Sequence, residues 1–469
     1  MLARYRVISV YCHVPEAYWR GLIVAAAIHR IELANGIRDI RVSDGYPELM
    51  ALITFHGVPL GDIRTKAHRG SVSSEYLRCH IAERFSDRIL QLWLEQRMNG
   101  KGSTVTSKRL PTIDVIVCTC DRPTDLKRCL RSLAGVSYER KSVLVVDNGQ
   151  GDGVTRDVVR GYDARYVREE KRGLDFARNA GLRASEAELV AFADDDVVVD
   201  SKWLDSIVQS FEKDQAIACV TGLTMPFELE TKAQEMFEKY SDGGMRRGYE
   251  GRVFDRFNLP PPAAGKVGVG ANMAFRSAVL RQIGGFDEAL DCGTPAKAGG
   301  DTDMFYRVLR HGYKICYEPR ALAWHRHRTE MDELRNQLAG YGTAVCAFLA
   351  KCVIEYRDAQ AVAVAYQWFK CHHLRNLALG LVGKGRMPWA MTLAELGGLL
   401  RGPLAYIRAK SYVSGIRRQE GLERRGRVNR PTGESDGHGD LMRRTSAFLG
   451  RLRGSMGRPE SAQCYRSDS

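Results

Sequence analysis

Leu189-Val-Ala-Phe-Ala-Asp-Asp-Asp-Val-Val-Val199 runs apolar, breaks into three consecutive carboxylates and turns apolar again. Leu189 to Ala193 reads as a buried strand, because a parallel strand covered on both faces is a continuous apolar run rather than an alternating one. Asp194, Asp195 and Asp196 then stand at its carboxyl end, the edge at which open α/β sheets bind ligands. Three adjacent carboxylates repel one another on the kcal/mol scale unless positive charge sits among them. A hard divalent cation meets that need, since it takes oxygen ligands and bridges to phosphate. The plainer alternative is a solvated acidic turn ahead of a helix beginning near Lys202.

The neighbours favour a ligand site. Asp114 to Cys118 reads as a strand, Thr124 to Leu133 as a helix with Thr124 as its cap, and Val143 to Val146 as a strand ending in Asp147-Asn148-Gly149. A short strand near Tyr166, a helix from Leu174 to Ala184 and a helix from Lys202 to Phe211 complete a βα rhythm, which implies a mostly parallel sheet with right-handed crossovers. Three strand ends, at Thr119 to Arg122, at Asp147 and at Asp194 to Asp196, line one edge of that sheet. The rhythm breaks after Val220, and residues 222–265, with Pro260-Pro-Pro262, read as a long mobile loop over the site.

A second acidic focus follows. Gly268 to Phe275 reads as a strand entered through glycines, Ser277 to Ile283 as a short helix, and Gly284-Gly-Phe-Asp-Glu288 as a turn. Gly299-Gly300-Asp301-Thr302-Asp303 opens a helix whose apolar face is Met304, Phe305, Val308 and Leu309, closed by Gly312. An N-cap for Asp301 and a first-turn charge for Asp303 are the structural alternatives to catalysis. After a strand from Lys314 to Tyr317 comes Trp324-His325-Arg326-His327-Arg328, in which His325 is a candidate metal or phosphate contact and Arg326 and Arg328 candidate diphosphate partners.

The whole chain of 469 residues suggests two to four units. Residues 1–108 read as a small α/β domain of unassigned role, with strands at Tyr5 to Tyr11 and Leu49 to Phe55 and helices at Trp19 to Ala34 and Glu75 to Arg97. Met98 to Thr112 reads as a linker into a catalytic domain over 109–330. Residues 331–411 read as helical, from Asn336 to Glu355 and Ala361 to Leu381, and 412–469 as an Arg-rich disordered tail. The net charge of +14 lies largely there, since residues 401–469 hold 15 Arg and Lys against 7 Asp and Glu. The tail lacks interleaved aromatics, so no specific nucleic acid is expected; the C-terminal helices are read as packing on the catalytic core, with peripheral contact at a membrane surface as the alternative. The twelve cysteines form no CxxC pair, the first residues lack a signal-peptide pattern, and no run reaches 18 uninterrupted apolar residues. A cytoplasmic protein, peripheral at the membrane face, is expected from these features.

Six segments in register resemble the inverting family 2 glycosyltransferases. They are Val117-Cys-Thr-Cys-Asp-Arg-Pro123, Val145-Val-Asp-Asn-Gly149, Gly173-Leu-Asp-Phe-Ala-Arg-Asn-Ala-Gly181, Phe192-Ala-Asp-Asp-Asp196, Gly284-Gly-Phe-Asp-Glu288 and Gly300-Asp-Thr-Asp-Met-Phe-Tyr-Arg307. The resemblance implies an α/β GT-A fold with a Rossmann-like, mostly parallel sheet, and a nucleotide-diphosphate sugar as donor. It implies that Thr119, Arg122, Asp147 and Arg178 contact the nucleotide, with Asp147 on the base. Asp194, Asp195 and Asp196 would form the DXD-type site for ribose and metal, with Mg²⁺ or Mn²⁺ on Asp196, Asp194 and His325. Asp301 would be the catalytic base, with Asp303 and Asn272 as the reserve base or acceptor contacts. The family commonly carries Glu where this chain has Gly300.

The residue types suit an inverting transfer, a single in-line displacement at the anomeric carbon. A base on the acceptor hydroxyl contributes about 10²- to 10⁴-fold, and a cation stabilises the departing diphosphate as a Lewis acid. The resemblance, and it alone, implies an acceptor that is a glycan or a lipid-linked sugar in cell-surface polysaccharide or glycolipid synthesis. The alternative is a catalytically silent protein of the same fold that binds membrane or nucleic acid through its tail.

Overall fold

The computed structural model describes residues 25–98, 109–151, 153–240, 245–381 and 389–428. Residues 1–411 form one compact unit and 412–469 a second; the site lies in the first. The expected strand at Tyr5 to Tyr11 and most of the expected linker lie outside the described residues.

The chain begins with β1 (Ala26–Glu32), β2 (Ile40–Arg41), β3 (Glu48–Phe55), β4 (Val58–Lys66), β5 (Ser71–Val72) and the helix α1 (Ser74–Met98). The helix expected over Trp19 to Ala34 is corrected, because Ala26–Glu32 is a strand paired in parallel with β3, Ala26 opposite Glu48. Pairing against the fully buried centre of β3 overrides the helical preference of the alanines. The Glu32 carboxylate reinforces that register by accepting the backbone N–H groups of His56 and Gly57, both at 2.8 Å, from the β3–β4 turn. Ala26, Met50 and Leu52 of this small sheet pack in one apolar cluster with Leu223, Met225 and Leu322 of the larger one and with Leu229, which bridges to Ala26.

The βα rhythm follows as read: β6 (Ile113–Thr119), α2 (Pro123–Ala134), β7 (Lys141–Asp147), α3 (Val154–Arg160), β8 (Arg165–Arg168), α4 (Leu174–Ala184), β9 (Leu189–Asp194), β10 (Val197–Val199), α5 (Trp203–Lys213) and β11 (Ile217–Pro226). Thr124 does not cap α2; Arg122 holds that position and Pro123 starts the helix, where a missing N–H costs nothing. The segment expected to be a long loop instead contains the helix α6 (Lys232–Tyr240) and the strand β12 (Arg252–Phe254). Then come β13 (Asn272–Arg276), α7 (Ser277–Ile283), α8 (Gly300–Arg310) and β14 (Lys314–His325), a 12-residue strand where a short one is expected. Asp301 is not the cap of α8, whose N-cap is Gly299.

The large sheet has nine strands in the order β10-β14-β11-β13-β9-β6-β7-β8, with β12 also on β14. The pairings make β6, β7, β8, β9, β11 and β14 run the same way and β10, β12 and β13 the other, so the sheet is mostly parallel. Trp203, Leu204, Ile207 and Phe211 of α5 and Leu126, Leu130 and Leu133 of α2 cover one face in the main apolar core.

The C-terminal helices are α9 (Met331–Tyr356), α10 (Gln360–Trp368), α11 (Arg375–Leu381) and α12 (Trp389–Val428), with a π-helical segment Phe369–Leu374 between α10 and α11. Helix to Val428 corrects the expectation of disorder for residues 412–428. By length and composition α9 suffices to cross a membrane, although half of its most apolar window is buried in the protein.

Candidate functional site

The acid triplet is pulled apart by its partners. Asp195, nearly fully buried, accepts the Thr119 hydroxyl at 2.8 Å and the Arg122 guanidinium at 2.7 Å. The same guanidinium nitrogen reaches Asp196 Oδ2 at 2.9 Å. The Thr119 and Arg122 strand end is therefore laced to the acid strand end, as parallel pairing of β6 with β9 dictates. Burial raises the Asp194 carboxyl to about 6 and that of Asp195 to about 7, against the opposing pull of Arg178 on the first and Arg122 on the second. Asp196 is partly buried, which pushes its carboxyl up, yet His325, Arg122 and Arg328 hold it below the usual carboxylate range.

Because β10 pairs antiparallel with β14, Val197 faces His325 and the imidazole meets the carboxylates. His325 Nε2 lies 3.3 Å from Asp196 Oδ1, and ligand atoms of Asp194, Asp196 and His325 all lie within 4.8 Å of one another. Burial pushes the His325 pKa down to about 4, so its imidazole is neutral near pH 7, the ligating form. Asp196 Oδ1 is buried without a hydrogen-bond partner. Two carboxylate oxygens and one neutral nitrogen around an orphaned oxygen fit Mg²⁺, Mn²⁺ or a similar divalent ion. Behind His325, its Nδ1 meets His327 Nδ1 at 3.2 Å, and His327 Nε2 meets Glu238 of α6 at 2.9 Å.

Asp147 closes β7 in a tight cradle. Its carboxylate accepts the Tyr166 hydroxyl at 2.7 Å and the Gly149 N–H at 2.9 Å, and pairs with Arg168 at 3.1 Å. The next turn crosses the first strand end so closely that a Cβ on Gly149 would sit 2.2 Å from Asp121 Oδ1.

Arg178 of α4 lies between acids, 3.0 Å from Asp175 Oδ1 and 3.7 Å from Asp194 Oδ1. Asp301 approaches from the start of α8, where its Oδ2 accepts the Gly270 N–H at 2.8 Å and its Oδ1 the Thr302 N–H at 2.7 Å. A Cβ on Gly270 would meet both Arg178 and Asp301 Oδ2 within 3 Å. Glycine here lets the base candidate and the arginine share one corner. The position before Asp301 has no space for a side chain, since a Cβ on Gly300 would collide with the Asp175 carboxylate.

Thr119, Arg122, Arg178, Asp194, Asp195, Asp196, His325 and Asp301 are thus joined by direct contacts or by one intervening residue. Asp303 and Asn272 are not part of that group. Asp303 is fully buried between Arg307 at 2.8 Å and Lys351 at 2.7 Å. Asn272 is spent on the Trp203 indole and on the carbonyls of Leu223 and Ala321. Both are closed structural networks, which corrects their reading as reserve base or acceptor contact. Arg326 pairs with Glu228 at 2.9 Å.

Several participants escape a sequence reading. Asp175 sits inside the quoted Gly173-Leu-Asp-Phe segment, and the unusual Gly300 was the signal for it. His327 lies two residues past the end of β14 and meets His325 through its ring, a contact that no sequence spacing announces. Tyr166, Arg168 and Glu238 carry no local signal.

Residues 114–284 match Glycosyl transferase family 2. The match takes in β6 through α7 and stops before Asp301. A pre-mycofactocin glycosyltransferase of Mycobacterium tuberculosis strain H37Rv is 30% identical over 252 residues, 51% of this chain and 49% of that protein. The glycosyltransferase AglE of Haloferax volcanii is 23% identical over 236 residues, 49% of this chain and 71% of that protein. The chain thus spans about half the length of the mycobacterial relative. Among solved structures, the mannosyltransferase PcManGT of Pyrobaculum calidifontis in complex with GDP-Man and Mn²⁺ aligns with 80% of this chain and 89% of that one, at 17% identity and a TM-score of 0.39.

Proposed function

We propose that this chain is an inverting glycosyltransferase that moves a sugar from a nucleotide-diphosphate donor to an acceptor hydroxyl. The observation that carries the reading is the meeting of Arg178 and the Asp194 strand end, both inside the segment that matches a glycosyltransferase family, with Asp301, which follows that segment. Thr119, Arg122 and Asp147 line the nucleotide side. Asp194, Asp196 and His325 would hold a divalent cation, which would supply Lewis-acid stabilisation of the leaving diphosphate. Asp301 takes the proton from the acceptor hydroxyl as that oxygen attacks the anomeric carbon, and Gly270 and Thr302 hold its carboxylate in place.

The acceptor is a glycan or lipid-linked sugar met at a cytoplasmic membrane face. Leu400, Leu404 and Ile407 of α12 are exposed and support a peripheral contact with that surface.

Thermal unfolding of the full chain with Mn²⁺ and a panel of nucleotide-diphosphate sugars tests the reading. One donor should raise the melting temperature and release nucleoside diphosphate when acceptor is added, with inversion at the anomeric carbon by NMR. No shift and no release with any donor would overturn it.

A further inference from the structure

A second cluster of ligating side chains lies among the C-terminal helices. Its chemistry is independent of the transferase reading. The π-helical segment Phe369–Leu374 carries His372 and His373, and α12 carries Glu395. A π-helix winds more loosely than an α-helix, so consecutive side chains diverge less, and such segments are frequent at functional sites. Here both imidazoles turn to one carboxylate oxygen: His372 Nε2 lies 3.1 Å and His373 Nδ1 3.8 Å from Glu395 Oε2. Ligand atoms of the three residues lie within 4.8 Å of one another.

His373 makes the case. It is fully buried, and neither ring nitrogen has a hydrogen-bond partner. An imidazole buried with both nitrogens unsatisfied is costly unless something absent from the protein chain completes it. Glu395, only 2% exposed, has its other oxygen Oε1 occupied by the Tyr240 hydroxyl of α6, which leaves Oε2 to face the histidines. That second contact orients the carboxylate as outer partners do in metal sites. Trp368 stacks parallel to His372 at 6.0 Å and edge-on to His373 at 4.6 Å, walling the cluster with apolar surface.

We propose that His372, His373 and Glu395 bind one divalent transition-metal ion of the zinc type. Two imidazoles and a carboxylate are a known zinc donor set, and bonds of about 2.0–2.2 Å in a tetrahedral site place donor atoms about 3.4 Å apart. The observed separations of 3.1 and 3.8 Å bracket that spacing. The ion joins the π-helical segment to α12, and through Tyr240 to α6.

The test uses the full, untagged chain carrying His325→Ala, which removes a ligand from the other cluster. After EDTA treatment and desalting, Zn²⁺ is titrated and the bound metal counted by mass spectrometry after gel filtration. One equivalent should remain bound and raise the melting temperature by several degrees. Adding His373→Phe, which keeps an aromatic ring and removes both nitrogens, should abolish both effects. Glu395→Gln, closer in shape, should weaken binding at least tenfold and decides the matter where the Phe variant does not fold. No retained Zn²⁺ in the parent chain, or equal retention in the variants, overturns the proposal.

Discussion

Asp175 Oδ2 stands 1.7 Å from the point a Cβ on Gly300 would occupy. One of these two positions can carry a group into this corner, and in this chain it is Asp175. Its Oδ1 anchors Arg178, while Oδ2 is buried without a partner. Gly300→Glu alone should displace the Asp175 carboxylate, and Asp175→Ala alone should release Arg178; misplacement of about 1 Å in such a site costs about 10²-fold in rate. The double variant Asp175→Ala/Gly300→Glu relocates the carboxylate and should recover most of that loss. Steady-state kinetics on the four proteins measure the coupling; a double variant no better than the singles would show that the group cannot be moved.

Asp301→Asn should lower the transfer rate by about 10²- to 10⁴-fold. The amide oxygen can still accept the Gly270 N–H, so the fold and the donor-induced rise in melting temperature should persist. Loss of donor binding in this variant would assign Asp301 to the donor rather than to the acceptor.

Cation binding should depend on pH through Asp194. Burial raises its carboxyl to about 6, so below that pH a proton occupies the site and must leave before a cation binds. Asp196 is already ionised and His325, near 4, already neutral. Mn²⁺ affinity should therefore be level above pH 7 and fall by about tenfold per unit below pH 6. Calorimetry in two buffers of different ionisation enthalpy should show about one proton released per ion at pH 5.5; equal affinities at pH 5 and 7 would contradict this assignment.

Lys351→Met isolates the structural role of Asp303. Lys351 bridges the fully buried Asp303 at 2.7 Å and Asp287 at 2.6 Å. Removing one partner of a buried ion pair leaves charge uncompensated, at about 3–5 kcal/mol. Urea unfolding should show that loss, while the rate per folded molecule stays within about twofold. A large fall in rate with unchanged stability would return Asp303 to the chemistry.

The βα half of the fold was legible because buried parallel strands are continuous apolar runs and their helices are amphipathic. Ala26–Glu32 was not, since Ala-Ala-Ile-His-Arg-Ile-Glu satisfies a helix locally and becomes a strand only beside β3. The helix α6 was hidden for the opposite reason: its nine residues are rich in Lys, Glu and Gln, and beside the packing of Ala233, Met236 and Phe237 its polar residues are buried through ion pairs such as Glu238 with Arg246 at 2.8 Å. At the site, the residue types at strand ends were legible. Their partners were not, because Arg168, Asp175 and Glu238 come from other elements.

The row Glu238, His327, His325, Asp196 also fixes where protons can lie. If His327 donates from Nε2 to the Glu238 carboxylate and is neutral, its Nδ1 is a bare lone pair. His325 must then carry its proton on Nδ1 to meet that lone pair, which leaves Nε2 bare and pointing at Asp196 Oδ1. Two lone pairs face each other there, an arrangement that a cation relieves. Without one, an extra proton must enter the row, and the two imidazoles exchange tautomers together. Glu238, 42 residues past Asp196 in the chain, thereby sets which face of an imidazole the acid cluster sees, so that the Glu238→Gln carboxamide should alter the ¹⁵N tautomer signature of His325 without touching it.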